Sequence, residues 1–232
     1  MKTKIKTIGC LCIALLLSLT TAKSESPVSV SMGADIVSSY VWRGVYQTGI
    51  SVQPTIGVSA YGLTLGAWGS TDFTNAPKEF DLSLFYEIAG FSVGFTDYWW
   101  SGQGNPYFKY KQSHFLEGTI GYSFGEKFPL SIMWNTMFWG DGDKDADGDQ
   151  MYSTYIALGY DWDIKWCTLG FGLGISPWKS IYSDKFNVTD VSVKATKEFT
   201  LKGDVGLALS VQPIFCPAMD DVHLVAGISF SY

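Results

Sequence analysis

From residue 28 to the last residue the chain alternates apolar with small or polar positions. The closing stretch, Val222 to Tyr232, shows the pattern most plainly. Val222, Leu224, Ala226, Ile228, Phe230 and Tyr232 fall in one set, and His223, Val225, Gly227, Ser229 and Ser231 in the other. A period of two is that of a β-strand with two unlike faces. Twelve segments read this way: Val28 to Trp42, Ser51 to Tyr61, Leu63 to Phe73, Glu79 to Ile88, Phe91 to Trp100, His114 to Phe124, Leu130 to Trp139, Met151 to Trp162, Cys167 to Ser176, Val188 to Phe199, Lys202 to Gln212 and Val222 to Tyr232.

Tight connections such as Tyr61-Gly62, Ala89-Gly90 and Thr200-Leu201 take turns with longer ones such as Arg43 to Ile50, Ser101 to Ser113 and Gly140 to Gln150. Short turns at one end and long loops at the other are what an up-and-down barrel with periplasmic termini requires. The faces agree. Phe80, Leu82, Leu84, Tyr86 and Ile88 oppose Asp81, Ser83, Phe85 and Glu87, and Glu117 likewise falls opposite Leu116 and Ile120. Carboxylates are costly against lipid, so the polar set lines a lumen and the apolar set meets hydrocarbon. The fold read from this pattern is all-β, an antiparallel up-and-down transmembrane β-barrel of 12 strands, with 10 or 14 left open by a weak tenth strand whose Thr189 and Lys197 fall on the lipid side. Aromatic residues gather near segment ends as two belts. Tyr40, Trp42, Trp100 and Trp178 lie toward the long loops, and Tyr61, Phe124, Trp162 and Tyr232 toward the short turns.

Lys2, Lys4 and Lys6 precede an apolar run, Ile8 to Leu19, that ends in small residues, so residues 1–22 read as a secretory signal peptide and 23–232 as a single barrel domain of the bacterial outer membrane. Without the signal, 13 basic residues face 22 acidic ones, and Arg43 is the only arginine. That balance argues against a nucleic-acid partner. The expected partners are outer-membrane lipids, lipopolysaccharide, small solutes, and the barrel-assembly machinery through the C-terminal strand. Cys167 and Cys216 fall at opposite ends of the wall, a membrane thickness apart, too far for a disulfide.

Ser38-Ser39-Tyr40-Val41-Trp42-Arg43-Gly44-Val45 carries the lone arginine, read as pointing inward at the lumen mouth. There it would order an anionic solute or set selectivity, or else pair with Asp72 or Asp81 to hold the wall. This stretch, with the later A-Y-G-L-T-L-G-A-W-G-S-T-D-F and E-F-D-L-S-L-F-Y, resembles the TorF-type porin family, whose first strand carries a similar Tyr-x-x-Arg-Gly signature. The resemblance covers about the first third of the mature chain and implies an outer-membrane barrel with pore function.

Inward Asp35, Asp81, Glu87, Glu117, Asp161, Asp190 and Asp204 predict a narrow, acidic, cation-preferring lumen for passive diffusion of small solutes. The alternatives are a non-conducting structural or surface-interaction barrel, with Phe85, Met133, Met137 and an infolded loop filling the lumen, and a rim-located lipid hydrolase built on His114 or His223. These histidines lie on the sixth and twelfth strands and cannot share one site, and no trio of nucleophile, base and orienting acid is visible, so no catalytic residue is assigned. In the loop from Gly140, Asp143, Asp145, Asp147 and Gly148 match the early positions of a calcium loop, with Asp149 beside them, but Thr154 stands where the bidentate Glu belongs. Solvated acidic loop and Ca2+ site are both open readings. Gly170, Gly172 and Gly174 thin one wall, which suits either a lumen opening or packing against an inserted loop.

Overall fold

In the computed structural model, residues 28–74, 76–102, 104–201 and 205–232 are described; the signal-peptide reading and Asp204 fall outside them. Fourteen strands follow in chain order: β1 (Val28–Val37), β2 (Tyr40–Trp42), β3 (Val45–Thr48), β4 (Ser51–Ala60), β5 (Leu63–Ser70), β6 (Glu79–Ile88), β7 (Phe91–Trp100), β8 (His114–Ser123), β9 (Leu130–Trp139), β10 (Thr154–Ile164), β11 (Cys167–Ser176), β12 (Asn187–Thr200), β13 (Gly206–Cys216) and β14 (Asp221–Ser231). All but β2 and β3 form one closed barrel in which each strand pairs with its sequence neighbours. The wall therefore has the 12 antiparallel strands the alternation predicts.

Closure runs through β1. It pairs with β4 from Val28↔Ala60 to Val37↔Ser51, and with β14 from Gly33↔Ser231 to Val37↔Gly227. Backbone bonds between Met32 and Tyr232 extend the seam at one end, and Ser38 closes it at the other by donating its N–H to the Ala226 carbonyl. No strand edge is left for lipid to solvate, which is the condition for crossing a bilayer with strands. Outward positions stay exposed and apolar along the whole wall, Ile120 at 64% and Leu224 at 67% among them. A water-soluble body would cover such a surface; a transmembrane barrel presents it to hydrocarbon. At the turn end Tyr61, Phe91, Phe124, Trp162, Trp166 and Tyr232 are exposed together as an interfacial girdle.

Three differences from the sequence reading have local causes. The eleventh wall strand, read as Lys202 to Gln212, runs from Gly206 on to Cys216, and residues 202–204 of that reading lie outside the described ones. The tenth carries a bulge where Gly174 faces Asp190 but Ile175 faces Val188. That extra residue takes Thr189 off the lipid face and buries it, while Lys197 stays outward near the turn end. The first wall strand stops at Val37, and the residues read as its continuation turn inward. Tyr40–Trp42 and Val45–Thr48 form a separate two-stranded hairpin.

Cys167 opens β11 at the turn end and Cys216 closes β13 at the loop end, so no disulfide joins them.

Candidate functional site: a hairpin seated in the lumen

The hairpin reverses at Arg43 (φ 51°) and Gly44 (φ 80°). Two successive left-handed residues make a type I′ turn, the same device as Tyr61-Gly62 and Ala89-Gly90 between wall strands. The Arg-Gly of the Tyr-x-x-Arg-Gly stretch is thus a hairpin tip, and its twist is that of the strands it joins. A side chain on Gly44 would meet the Thr189 carbonyl and the Asp190 side chain, so the tip lies against β12.

From that tip Arg43 reaches β8. Its Nη1 donates to Glu117 Oε2 at 2.5 Å and its Nη2 to Glu117 Oε1 at 2.7 Å, the two-pronged geometry that suits a guanidinium to a carboxylate. Nη1 also donates to Tyr182 Oη at 2.6 Å, from the loop between β11 and β12. Tyr98 of β7 donates to Glu117 Oε1 at 2.9 Å and braces it. The guanidinium carbon sits 4.6 Å from the Trp42 ring centre, 4.7 Å from Tyr155 and 5.5 Å from Tyr182, so aromatic faces surround the charge. Tyr155 donates in turn to Asp190 Oδ2 at 3.0 Å, as does Thr189 at 2.9 Å. Arg43 is 2% exposed and Glu117 1%.

The wall is built to admit this. A side chain on Gly174 would run into Asp190 and Tyr155, so the last glycine of the stripe gives the Tyr155–Asp190 contact its room. Around the hairpin Tyr40, Trp42, Trp68, Tyr98, Met133, Met137, Tyr155 and Tyr182 pack as one buried cluster. Tyr40 and Trp42 therefore belong to the lumen and not to the outer belt. So does Trp100, which stacks on Tyr98 at 5.6 Å. Beside Arg43 there remains a cavity of about 10 Å3, lined by Asp81, Phe85, Glu117 and Asn135 among others. That is room for one water. A second, of about 40 Å3, lies between Tyr40, Gln47, Ser70, Glu79 and Trp100.

Of the residues singled out from sequence, Asp81, Glu117 and Asp190 converge on the hairpin, all buried, and Arg43 joins them. Asp35, Glu87 and Asp161 face the lumen but stay partly exposed, Glu87 and Asp161 toward the turn end and Asp35 near the loop end of β1. Two expectations for Arg43 are corrected. It lies inside the lumen and not at its rim, because the hairpin carries it there. Its partner is Glu117 and neither Asp72 nor Asp81. Asp72 sits in an exposed loop, where the Thr74 N–H and hydroxyl hold its carboxyl below its usual range. With both terminal nitrogens engaged, Arg43 is also not poised to order an anionic solute.

Glu79 was missed as a lumen residue. It and Asp81 point the same way from β6, and the oxygens of both carboxyls lack hydrogen-bond partners among the described residues. Strand parity with Asp81 was the signal that could have found it.

The aspartates of the acidic loop point in different directions. Asp143 is turned toward the barrel, where it accepts Gln150 Nε2 at 2.6 Å and the Ser153 N–H at 3.2 Å. Burial pushes its carboxyl up against those bonds. Asp145 accepts the N–H groups of Asp147 and Asp149, while Asp147 and Asp149 face solvent. Among the described residues no three His, Cys, Asp or Glu side chains converge where a metal ion could sit.

His114 is not poised for hydrolysis. His114 Nδ1 lies 2.7 Å from Asp97 Oδ1 and Nε2 2.7 Å from the Tyr107 carbonyl, so neither nitrogen is left to take a proton from Ser113. Tyr110 stacks on its ring at 3.9 Å. His223 lies 6.0 Å from the Tyr46 ring and 3.4 Å from Asp221.

Comparison with curated proteins returns no match. Among solved structures, a KdgM porin is 9% identical with a TM-score of 0.49, over 88% of this chain and 97% of that one. An outer membrane channel from Pseudomonas putida F1 is 14% identical with a TM-score of 0.43, over 91% and 98%. At these values neither bears on what this chain does. A family described as "Bacterial protein of unknown function (Gcw_chp)" matches residues 21–221, almost the whole barrel, and the chain belongs to that family.

Proposed function

We propose that this chain is a channel for small solutes, described here in its shut form, with the Tyr40–Thr48 hairpin as the stopper. A bacterial barrel with a continuous apolar exterior resides in the outer membrane. The observation that carries the channel reading is the division of the lumen into two halves. The loop half is filled by a hairpin that is not part of the wall and is held by one buried ion pair. The turn half is lined by small or polar residues, Ser31, Ser59, Ser92 and Asp161 among them, that keep partial access to solvent. A lumen meant only to be a solid core has no need of that wet vestibule. The TorF-type likeness of the first third supports the same reading.

Inward Asp35, Asp81, Glu87, Glu117, Asp161 and Asp190 outnumber the inward bases, so the open form prefers cations. Lipopolysaccharide around the loop end and the assembly machinery at β14 complete the set of partners. No catalytic role is assigned to any residue.

Reconstitution tests this directly. Liposome swelling with graded sugars and amino acids, run on the native barrel and on Arg43→Ala, should show faster entry for the variant; planar-bilayer recordings in a KCl gradient should give a cation-selective reversal potential. A second reading, a barrel permanently closed and serving the cell surface, is favoured by the fullness of the loop half, where Met137 is wholly buried. Absence of permeation in both forms selects it.

A further inference from the structure

The stopper is held in an unusual way: nearly everything that grips the Arg43 guanidinium belongs to other parts of the barrel. Glu117 comes from β8, Tyr155 from β10 and Tyr182 from the loop after β11, while Tyr98 of β7 fixes the carboxylate and Asp190 of β12 stands behind Tyr155. Only Trp42 is the hairpin's own. Without Arg43 this surface would be a dry recess with a two-oxygen acceptor at its base, tyrosine faces at its sides, and two further buried carboxylates, Asp190 and Asp81, close by. Among the described residues no other lysine or arginine pairs with any of the three. Glu117 stripped of Arg43 would be a buried carboxylate without its counter-charge, which is strongly unfavourable, so the recess favours a cation. A planar fork of N–H donors under aromatic faces is the shape it fits.

We propose that this recess is a recognition site for small organic cations bearing a guanidinium group, and more weakly an alkylammonium, and that Arg43 occupies it as a tethered ligand. The cavity beside Arg43 has room for about one water, so a solute cannot bind next to the arginine and must replace it. Solute binding and seating of the hairpin then exclude each other, and a solute that takes the recess favours the unseated form by linkage. Solutes that also carry a carboxylate are disfavoured, since a second negative charge would enter among Glu117, Asp190 and Asp81. The proposal rests on the channel reading for its consequence, but the recess can be tested apart from it.

The test uses the full barrel with Arg43→Ala, which empties the recess, and methylguanidinium chloride as probe, with sodium chloride at equal ionic strength as control. Isothermal titration and tryptophan fluorescence, reporting from Trp42 and Trp100, should show saturable binding of methylguanidinium, weaker binding of methylammonium, and none of sodium. Adding Glu117→Gln should weaken methylguanidinium binding by about tenfold or more, the loss expected when a charged partner is removed. A barrel that keeps its heat-dependent gel mobility yet binds no methylguanidinium overturns the proposal. Equal affinity for all three cations, or no effect of Glu117→Gln, also overturns it, as mere counter-ion accumulation. Should the double variant not fold, the ranking of the three cations on Arg43→Ala decides alone. Bilayer recordings separate the two readings. Binding without conductance in any form leaves the recess and removes the channel, whereas conductance through Arg43→Ala without binding leaves the channel and removes the recess.

Discussion

Arg43 and Glu117, 74 residues apart in the chain, meet inside the lumen through two parallel hydrogen bonds with almost no solvent access. Removing one partner strands the other charge, which in buried pairs costs about 3–5 kcal/mol. Glu117→Gln and Arg43→Ala should each unseat the hairpin more readily than they unfold the wall, since the wall's ladders do not pass through either side chain. The expected outcome is raised conductance with unchanged β-sheet circular dichroism. The double change to Met at 43 and Leu at 117 should recover part of the lost stability in urea titrations.

Gly44 offers a cleaner perturbation. Its φ of 80° disfavours any side chain, and a Cβ there would strike the Thr189 carbonyl. Gly125 has φ 84° with open space around it, so Ala there carries only the backbone cost of about 1 kcal/mol. Gly44→Val should therefore raise channel current while Gly125→Ala leaves it alone, in recordings made side by side.

Glu79 and Asp81 behave oppositely to Glu117, because they sit buried without hydrogen-bond partners among the described residues. Asp81→Asn replaces a buried carboxyl, which no lysine or arginine pairs among the described residues, with an amide of the same shape. It should hold or raise the thermal midpoint of the folded barrel, whereas Glu117→Gln lowers it. In open variants Asp81→Asn should also move the reversal potential in a KCl gradient toward zero.

His114 ties the loop that follows β7 to the outside of the wall through Asp97 and the Tyr107 carbonyl. Losing a buried hydrogen-bonding group of this kind costs about 1–3 kcal/mol. His114→Ala should let trypsin cut at Lys109 and Lys111 faster than in the native barrel while the current is unaffected.

The wall was legible from sequence because lipid outside and water inside impose a strict period of two, and every inward carboxylate of the strand from Glu79 obeys it. The hairpin was not. Tyr40-Val41-Trp42 continues the alternation of β1 without a break, and Arg43-Gly44 read as the start of a loop, although a residue followed by Gly between β-forming residues is itself a hairpin signal. The partner of Arg43 lies in a strand that is distant in sequence, and periodicity carries no information about such a meeting. The same holds for the loop end of β12. A bulge changes which face a residue takes, and nothing local to Thr189 announces it. The glycine stripe left two readings open, a lumen opening or an inserted loop, and what stands at Gly174 is instead a pair of wall side chains, Asp190 and Tyr155, whose meeting no local spacing announces.

The hairpin leaves the chain between its first and second wall strands, yet its berth is made by β7, β8, β10 and β12. Those strands emerge much later in synthesis. The stopper is therefore born before the bottle's neck exists, and ordering it early would demand closing chain loops of great length with nothing to hold them. The berth is complete only when β12 has joined the wall, so the seal on the bore is among the last contacts this chain can form.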